Sequence, residues 1–446
     1  MLRPEALTER TPQGLAGEIS RLVADGVLAP GDRMPTVRDV AAVLGVSAGT
    51  VSAAWRALAA AGVIVTRGRA GTFVRDDRSE WLSPRVSTLV TSADGSRLDL
   101  SLGTPDPALL PSLAPALARV TPRADTGRYH DLPVLPELLR VLRESWPSSG
   151  VGAITVVDGA LDGIVRVLEQ VVRFGDRVAV ESPGFPYFFD LLDVLGAEPV
   201  PLAVDGEGVV PASLARALAR RPVAVVLQPR AQNPTGASMS PDRARALVRV
   251  LRTVPGGDRV TVVEDDHSAL IGSAPDVTLS RWLPEQVVHV RSFSKSHGPD
   301  LRIAAMGGPA RLIERTVARR MLGPGWTSRL LQAVLLDLLT DPAAVAKVRA
   351  ARLVYRDRLD RVADGLRRHG IDVGEPDGVN LWLPVKDERA ALVQLAASGI
   401  VAASGSAFVI DDATGPHLRV TAGAAAENLA MVADALADAA VAEPHA

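Results

Sequence analysis

Of the 49 lysine and arginine residues in the chain, only three are lysine: Lys295, Lys347 and Lys386. A sequence that otherwise writes its cations as arginine keeps lysine where arginine fails, or where chance leaves one. Lys295 stands between two serines in RSFSKS, after the apolar run QVVHV. A desolvated ammonium can lose its proton and form an imine with a carbonyl, whereas a guanidinium stays protonated and cannot. Other groups with chemistry to offer follow similar apolar runs. Asp158-Gly159-Ala160 follows AITVV, and Ser182-Pro183-Gly184-Phe185 follows RVAVE. RAQNPTG, with Asn233, follows PVAVVLQP, and EDDH, with Asp265 and His267, follows RVTVV.

These segments supply a glycine turn at a helix start, an aromatic ring, a carboxamide, carboxylates, two hydroxyls (Ser292 and Ser294) and an amine. A pyridoxal phosphate site needs an imine-forming lysine, a carboxylate for the ring nitrogen, anion donors for the phosphate and a flat partner for the ring. Taken alone, Lys295 reads equally well as a surface lysine. In this company it reads as the imine lysine.

The groups must be positioned by the elements that precede them. The five runs are short and β-branched, and helical stretches separate them at 160–173, 186–196, 212–220 and 241–253. Such alternation predicts a mainly parallel sheet with helices on both faces. Ligands then bind beyond the C-terminal ends of the strands, where all five segments fall. An Ala-rich stretch at 426–442 reads as a packing helix.

The first 76 residues have a different grammar. Leu15, Ile19 and Leu22 share a helical face, and Gly26 stops that helix. Thr36 caps a second helix that runs through Leu44, Gly45 ends it, and Ser47 caps a third. In the third helix Val51, Ala54, Trp55 and Leu58 face a core, leaving Gly49, Thr50, Ser52, Ala53 and Arg56 nearer solvent. VIVTRGRAGTFV then reads as two strands around a turn carrying Arg67 and Arg69. Two short helices with a tight turn, followed by a basic hairpin, describe a winged helix-turn-helix that reads double-stranded DNA. A small helical interaction domain is the alternative.

The totals set bounds. A chain of 446 residues holds more than one core. The absence of cysteine excludes disulfides, thiolate metal sites and a cysteine nucleophile, and no metal site is expected. No signal segment or apolar run near 18 residues is visible, so a cytoplasmic protein without membrane contact is expected. The net charge is −2, but residues 1–78 hold ten Arg against eight Asp plus Glu. The expected organisation is a winged helix-turn-helix over 1–76, a linker over 77–98, and an α/β unit over 99–446. A large subdomain spans about 140–325, and a smaller α+β subdomain comes from the remainder.

The segment GVLAPGDRMPTVRDVAAVLGVSAGTVSAAWRALAAAGVIVTRGRAGTFV resembles the GntR-type DNA-binding domain. SFSK with PDLR, NPTG and EDDH resemble fold-type I aminotransferases, a three-layer α/β fold. Together the two parts resemble the MocR family, over essentially the whole chain. EDDH and DGVNLWLP resemble its PtsJ-type branch, associated with vitamin B6 supply.

The resemblance implies pyridoxal 5'-phosphate on Lys295, with Asp265 at the pyridinium nitrogen and Asn233 at the phenolic oxygen. It implies Ser292, Ser294, Arg302, Gly159 and Ala160 around the phosphate, and Phe185 packed on the ring. It implies that Tyr129 is lent by a neighbouring subunit, hence a homodimer. Arg419 would grip a substrate carboxylate, with Gly103 beside it. Arg38, Ser47, Thr50, Ser52, Arg67 and Arg69 would meet DNA.

The departures matter as much. Ala48 and Gly49 stand where the family commonly begins its recognition helix with Arg, so Arg38, Thr50 and the wing must carry most contacts. Leu161 replaces a common Gln. His267 replaces a Tyr, which predicts a group titrating near neutrality at the ring; a core histidine is the alternative. The functional expectation is a transcription regulator whose aminotransferase-like domain senses an amino compound or the cofactor itself. A working aminotransferase with a DNA-binding appendage is the other reading, and a non-binding relic is disfavoured by the retained site residues.

Overall fold

The computed structural model describes residues 4, 7–29, 31–60, 63–66, 71–74, 83–87, 89, 98–120, 132–411 and 414–443. Tyr129, Arg67 and Arg69 lie outside the described residues. The chain divides into two compact units, one containing residues 1–87 and the other most of the rest.

In the first unit, helices Pro12–Ala24, Val37–Leu44 and Ala48–Ala60 precede strands β1 (Ile64–Thr66) and β2 (Thr72–Val74), which pair antiparallel. The caps are those the sequence predicts. Thr36 Oγ1 accepts from the Asp39 N–H at 3.2 Å, Gly45 closes the second helix at φ 65°, and Ser47 Oγ accepts from the Thr50 N–H at 3.0 Å. Leu15, Ile19, Val40, Leu44, Val51, Ala54, Trp55 and Leu58 form one core with Ile64 and Val74. The expected linker holds one helical turn, Pro84–Ser87.

The second unit begins with β3 (Leu98–Asp99) and is organised around eight strands: β4 (Ala153–Val157), β5 (Arg177–Ser182), β6 (Glu198–Asp205), β7 (Gly208–Val209), β8 (Ala224–Leu227), β9 (Thr261–Asp266), β10 (Val287–Ser292) and β11 (Ala304–Gly308). Their order is β4-β11-β10-β9-β8-β5-β6-β7. The run from β10 to β6 is parallel; β11 is antiparallel to both its neighbours, and β7 to β6.

Side chains alternate across each strand. Val225, Val262 and Val287 pack under helices Pro211–Ala219 and Pro241–Thr253. Helix Ala160–Val171 covers the other face, where Gly163 lies against Val157, Met306 and Val290. The five predicted strands are all present. β6, β7 and β11 are additional in this sheet, and β11 reads Ala-Ala-Met-Gly-Gly, with no β-branched residue to announce it.

A smaller layer follows. β12 (Leu381–Pro384), β15 (His417–Val420) and β14 (Ala403–Ser404) form an antiparallel sheet, and β13 (Ile400–Val401) pairs parallel with β3. Helices Pro342–Arg368, Glu388–Ala397 and Leu429–Ala440 close its core. No helix among the described residues is long and apolar enough to cross a membrane.

Candidate functional site

Parallel strands deliver their C-terminal ends to one edge of the sheet, and the predicted residues meet there. β10 ends at Ser292. A short helix, Ser294–His297, then carries Lys295, whose Nζ lies 2.5 Å from His267 Nδ1. His267 follows β9 and places its Nε2 2.8 Å from the Ala231 carbonyl. Burial lowers the Lys295 amine to about 8, against the opposing pull of Asp265. The other two lysines are elsewhere: Lys347 donates to the Ala108 carbonyl and Lys386 to Glu443.

Asp265 is 3% exposed. Burial pushes its carboxyl up to about 6, while a hydrogen bond from Gln228 and the Lys295 charge pull it down. Its Oδ2 accepts from Gln228 Nε2 at 2.8 Å, and its Oδ1 is sealed from solvent with no hydrogen-bond partner. Asn233 is buried, with its Oδ1 3.4 Å from Asn380 Nδ2, which leaves its own amide nitrogen available as a donor. Phe185 is half-buried and packs against Tyr187 and Phe188.

The phosphate candidates lie around the ends of neighbouring strands, Ser292 pairing with Ala304 and Ala304 with Val157. Gly159 has φ 102°, and a Cβ there would fall 2.6 Å from Arg302 Nη2. Arg302 donates to the Asp158 carbonyl at 3.3 Å and is exposed. Ala160 opens the helix, whose free amides attract anions. Ser292 Oγ accepts from the Ser294 N–H at 3.2 Å.

Arg419, on β15, is 3% exposed; the charge of Asp99 acts on it, favouring its charged form. Its Nη2 donates to the Ser101 carbonyl, its Nε is buried without a partner, and its guanidinium lies 5.2 Å from the Phe408 ring centre. Burial lowers it to about 10. Gly103, at φ 67°, makes room for it, since a Cβ would stand 2.5 Å from Nη1.

His267 corrects an expectation. A carbonyl only accepts, so Nε2 bears the proton and Nδ1 presents a lone pair to Lys295. Burial and the Lys295 charge hold His267 well below the usual imidazole range. It is therefore a neutral acceptor near pH 7, not a group titrating there.

Sequence reasoning missed Gln228, Glu181 and Asn380. Gln228 stands at a strand end like the predicted residues, but what marks it, its contact with Asp265, spans 37 positions of chain. Asn380 stood out only as part of DGVNLWLP. On the opposite face of the sheet, Asp266, Asp276 and His289 bring three ligand atoms within 4.8 Å of one another. Arg230 lies 2.6 Å from Asp266, and Arg291 3.5 Å from Asp276, so the group is a buried ion network.

In the first unit, Arg38 and Arg56 are exposed, and Thr50 and Ser52 are half-exposed. Ser47 Oγ is occupied in part by its cap and by Thr50 Oγ1, 2.9 Å away. Arg33, also missed, bridges to Phe73 on β2 and lies against Gly71.

Residues 11–74 match the family model of bacterial regulatory proteins, gntR family, and residues 96–436 match aminotransferase class I and II. The chain is 37% identical over 420 residues to the vitamin B6 salvage pathway transcriptional repressor PtsJ of Salmonella typhimurium, covering 92% of this chain and 94% of that one. The chain belongs to the MocR family.

Like other MocR proteins, it is a transcription regulator with an aminotransferase-like domain. It is also 30% identical over 369 residues to the pyridoxine biosynthesis regulator PdxR of Corynebacterium glutamicum, covering 80% of this chain and 78% of that one. Kynurenine aminotransferase from Pyrococcus horikoshii shares the fold, with TM-score 0.71 at 19% identity over 81% of this MocR chain and 95% of that chain.

Proposed function

We propose that the chain binds pyridoxal 5'-phosphate at Lys295 and that this loaded site governs how a homodimer engages operator DNA. The observation that carries the reading is the sealed, unpartnered Oδ1 of Asp265 close to a lysine of lowered basicity. An orphaned buried acceptor is costly unless a donor arrives, and a pyridinium N–H is such a donor. When bound, the cofactor supplies an aldehyde that condenses with primary amines and a ring that withdraws electrons from them.

In this reading Asp265 holds the ring nitrogen, and Asn233 donates at the phenolic oxygen. Arg302, Ser292, Ser294 and the amides of Gly159 and Ala160 hold the phosphate, with Tyr129 lent by a second subunit. Phe185 packs on the ring. His267 accepts from the Lys295 amine and keeps it aimed. Arg419 binds a carboxylate on an incoming amino compound. The effector is that compound or the cofactor itself, and it acts through different affinities for two arrangements of the dimer.

The test is the absorption spectrum of the purified protein before and after borohydride. The loaded protein should be yellow, with a visible absorption band from the imine. The band should vanish on reduction, leaving an adduct that mass spectrometry finds on Lys295. An adduct on Lys347 or Lys386 would defeat the assignment. A second reading, a working aminotransferase, would use the same residues; sustained turnover of amino donors would select it.

A further inference from the structure

Gln228 lies just beyond β8 and is 3% exposed. Its carboxamide makes two contacts of opposite sense. The Asn233 backbone N–H donates to Oε1 at 2.7 Å, and Nε2 donates to Asp265 Oδ2 at 2.8 Å. A backbone N–H can only donate, so Oε1 is committed to Asn233 and the NH2 end faces Asp265 of necessity. The two oxygens of Asp265 are thereby made unlike: one is tied to the protein, the other is sealed and free. The Gln228 backbone N–H in turn donates to Glu181 Oε2 at 3.2 Å. Burial raises the Glu181 carboxyl to about 8, so near pH 7 it is mostly neutral and opposes the Asp265 charge little.

We propose that Gln228 is a positioning residue: it grips Asp265 by Oδ2 and so reserves Oδ1 for the protonated ring nitrogen of a heteroaromatic ligand. The identity of that ligand rests on the cofactor reading above; the grip itself does not. Besides Gln228, the groups acting on Asp265 are Lys295 and His289, which favour its charge, and Asp266 and Glu181, which oppose it. Removing the Gln228 donor leaves this balance without its largest favourable contribution. The carboxylate then ionises at higher pH, and fewer molecules present an anion to the ring nitrogen at pH 7.

The experiment uses the full-length chain labelled with [4-13C]aspartate, the Asp265 signal being identified from its loss in Asp265→Asn. The titration midpoint of Asp265 is followed in wild type, in Gln228→Met and in Gln228→Glu, which keeps an acceptor for the Asn233 N–H. Both substitutions should raise the midpoint by about one pH unit, the scale of one charge-assisted hydrogen bond. Affinity for pyridoxal 5'-phosphate at pH 7 should fall about tenfold in Gln228→Met, and the same substitution should cost nothing further in the Asp265→Asn background.

A midpoint unmoved in both variants overturns the proposal. So does an equal loss of affinity with and without the Asp265 carboxylate. If the midpoint moves while wild type fails to bind the cofactor, the grip stands and the cofactor reading falls.

Discussion

His267 Nδ1 lies 2.5 Å from Lys295 Nζ while the opposite ring nitrogen faces the Ala231 carbonyl at 2.8 Å. The tautomer is fixed by that carbonyl, and the imidazole serves as a neutral acceptor for the lysine amine. A neutral acceptor favours the ammonium form, partly offsetting the burial that lowers Lys295 to about 8. His267→Phe removes the acceptor, so the Lys295 pKa should fall further. The rate at which pyridoxal 5'-phosphate becomes trapped on Lys295 by borohydride should rise with pH, with a midpoint near 8 in wild type and a lower one in His267→Phe. A midpoint that stays or climbs would remove His267 from the site.

The exchange of Tyr for His was visible in the sequence, but its consequence was not. Titration near neutrality follows from the residue type alone; the neutral state follows from burial and from the charge of Lys295, 28 positions away, while Ala231, 36 positions away, fixes the tautomer. The same division holds elsewhere. Thr36, Gly45 and Ser47 act within a few residues, and their caps were legible. The strand ends were legible because β-branched runs and their trailing loops are local features. β11 was not: Gly307 sits there because a Cβ would fall 2.5 Å from Trp146, a constraint that only the folded chain imposes. Gln228 escaped for a like reason, since its partner Asp265 lies 37 positions on.

Arg419 is a buried cation whose burial outweighs the favourable charge of Asp99, an arrangement that costs stability until an anion binds. Arg419→Met should stabilise the unloaded protein by about 1–3 kcal/mol. It should also abolish the rise in melting temperature that carboxylate-bearing amino compounds cause in wild type. Melting curves with and without a panel of amino acids check both halves. A variant less stable than wild type that still responds to the panel would show Arg419 to be structural.

His289 connects stability to pH. Burial opposes its charge, but Asp266 and Glu264 outweigh burial and raise it to about 9; Glu264 Oε2 lies 2.9 Å from Nδ1. A folded pKa above the unfolded value of about 6.5 means that the contribution is complete below that value. It is lost as pH rises through about 9. The amount is about 3 kcal/mol at most. Denaturant unfolding at pH 6, 8 and 10 should show a loss in wild type that His289→Gln largely flattens. Equal slopes in the two proteins would place the alkaline sensitivity elsewhere.

DNA binding should depend more on phosphate contacts than on base reading. The helix Ala48–Ala60 opens with Ala48 and Gly49, which bring no side-chain donors to a groove. Ser47 and Thr50 lie near that tip, but Ser47 is partly committed to the cap. Arg38 is exposed on the preceding helix, and Arg67 and Arg69 belong to the wing turn in the sequence. Arg38→Ala, Arg67→Ala and Arg69→Ala should each weaken binding to every sequence and lower the salt slope by about one. Thr50→Val should instead cost roughly 1–3 kcal/mol on the native operator and relax preference at one position. Ser47→Ala should act through the fold, lowering stability by about 1 kcal/mol as the cap is lost. Fluorescence anisotropy on operator and scrambled duplexes at several salt concentrations separates these outcomes. If neither wing arginine alters the affinity or the slope, the hairpin does not touch DNA, and Arg38 with the third helix must hold the duplex alone.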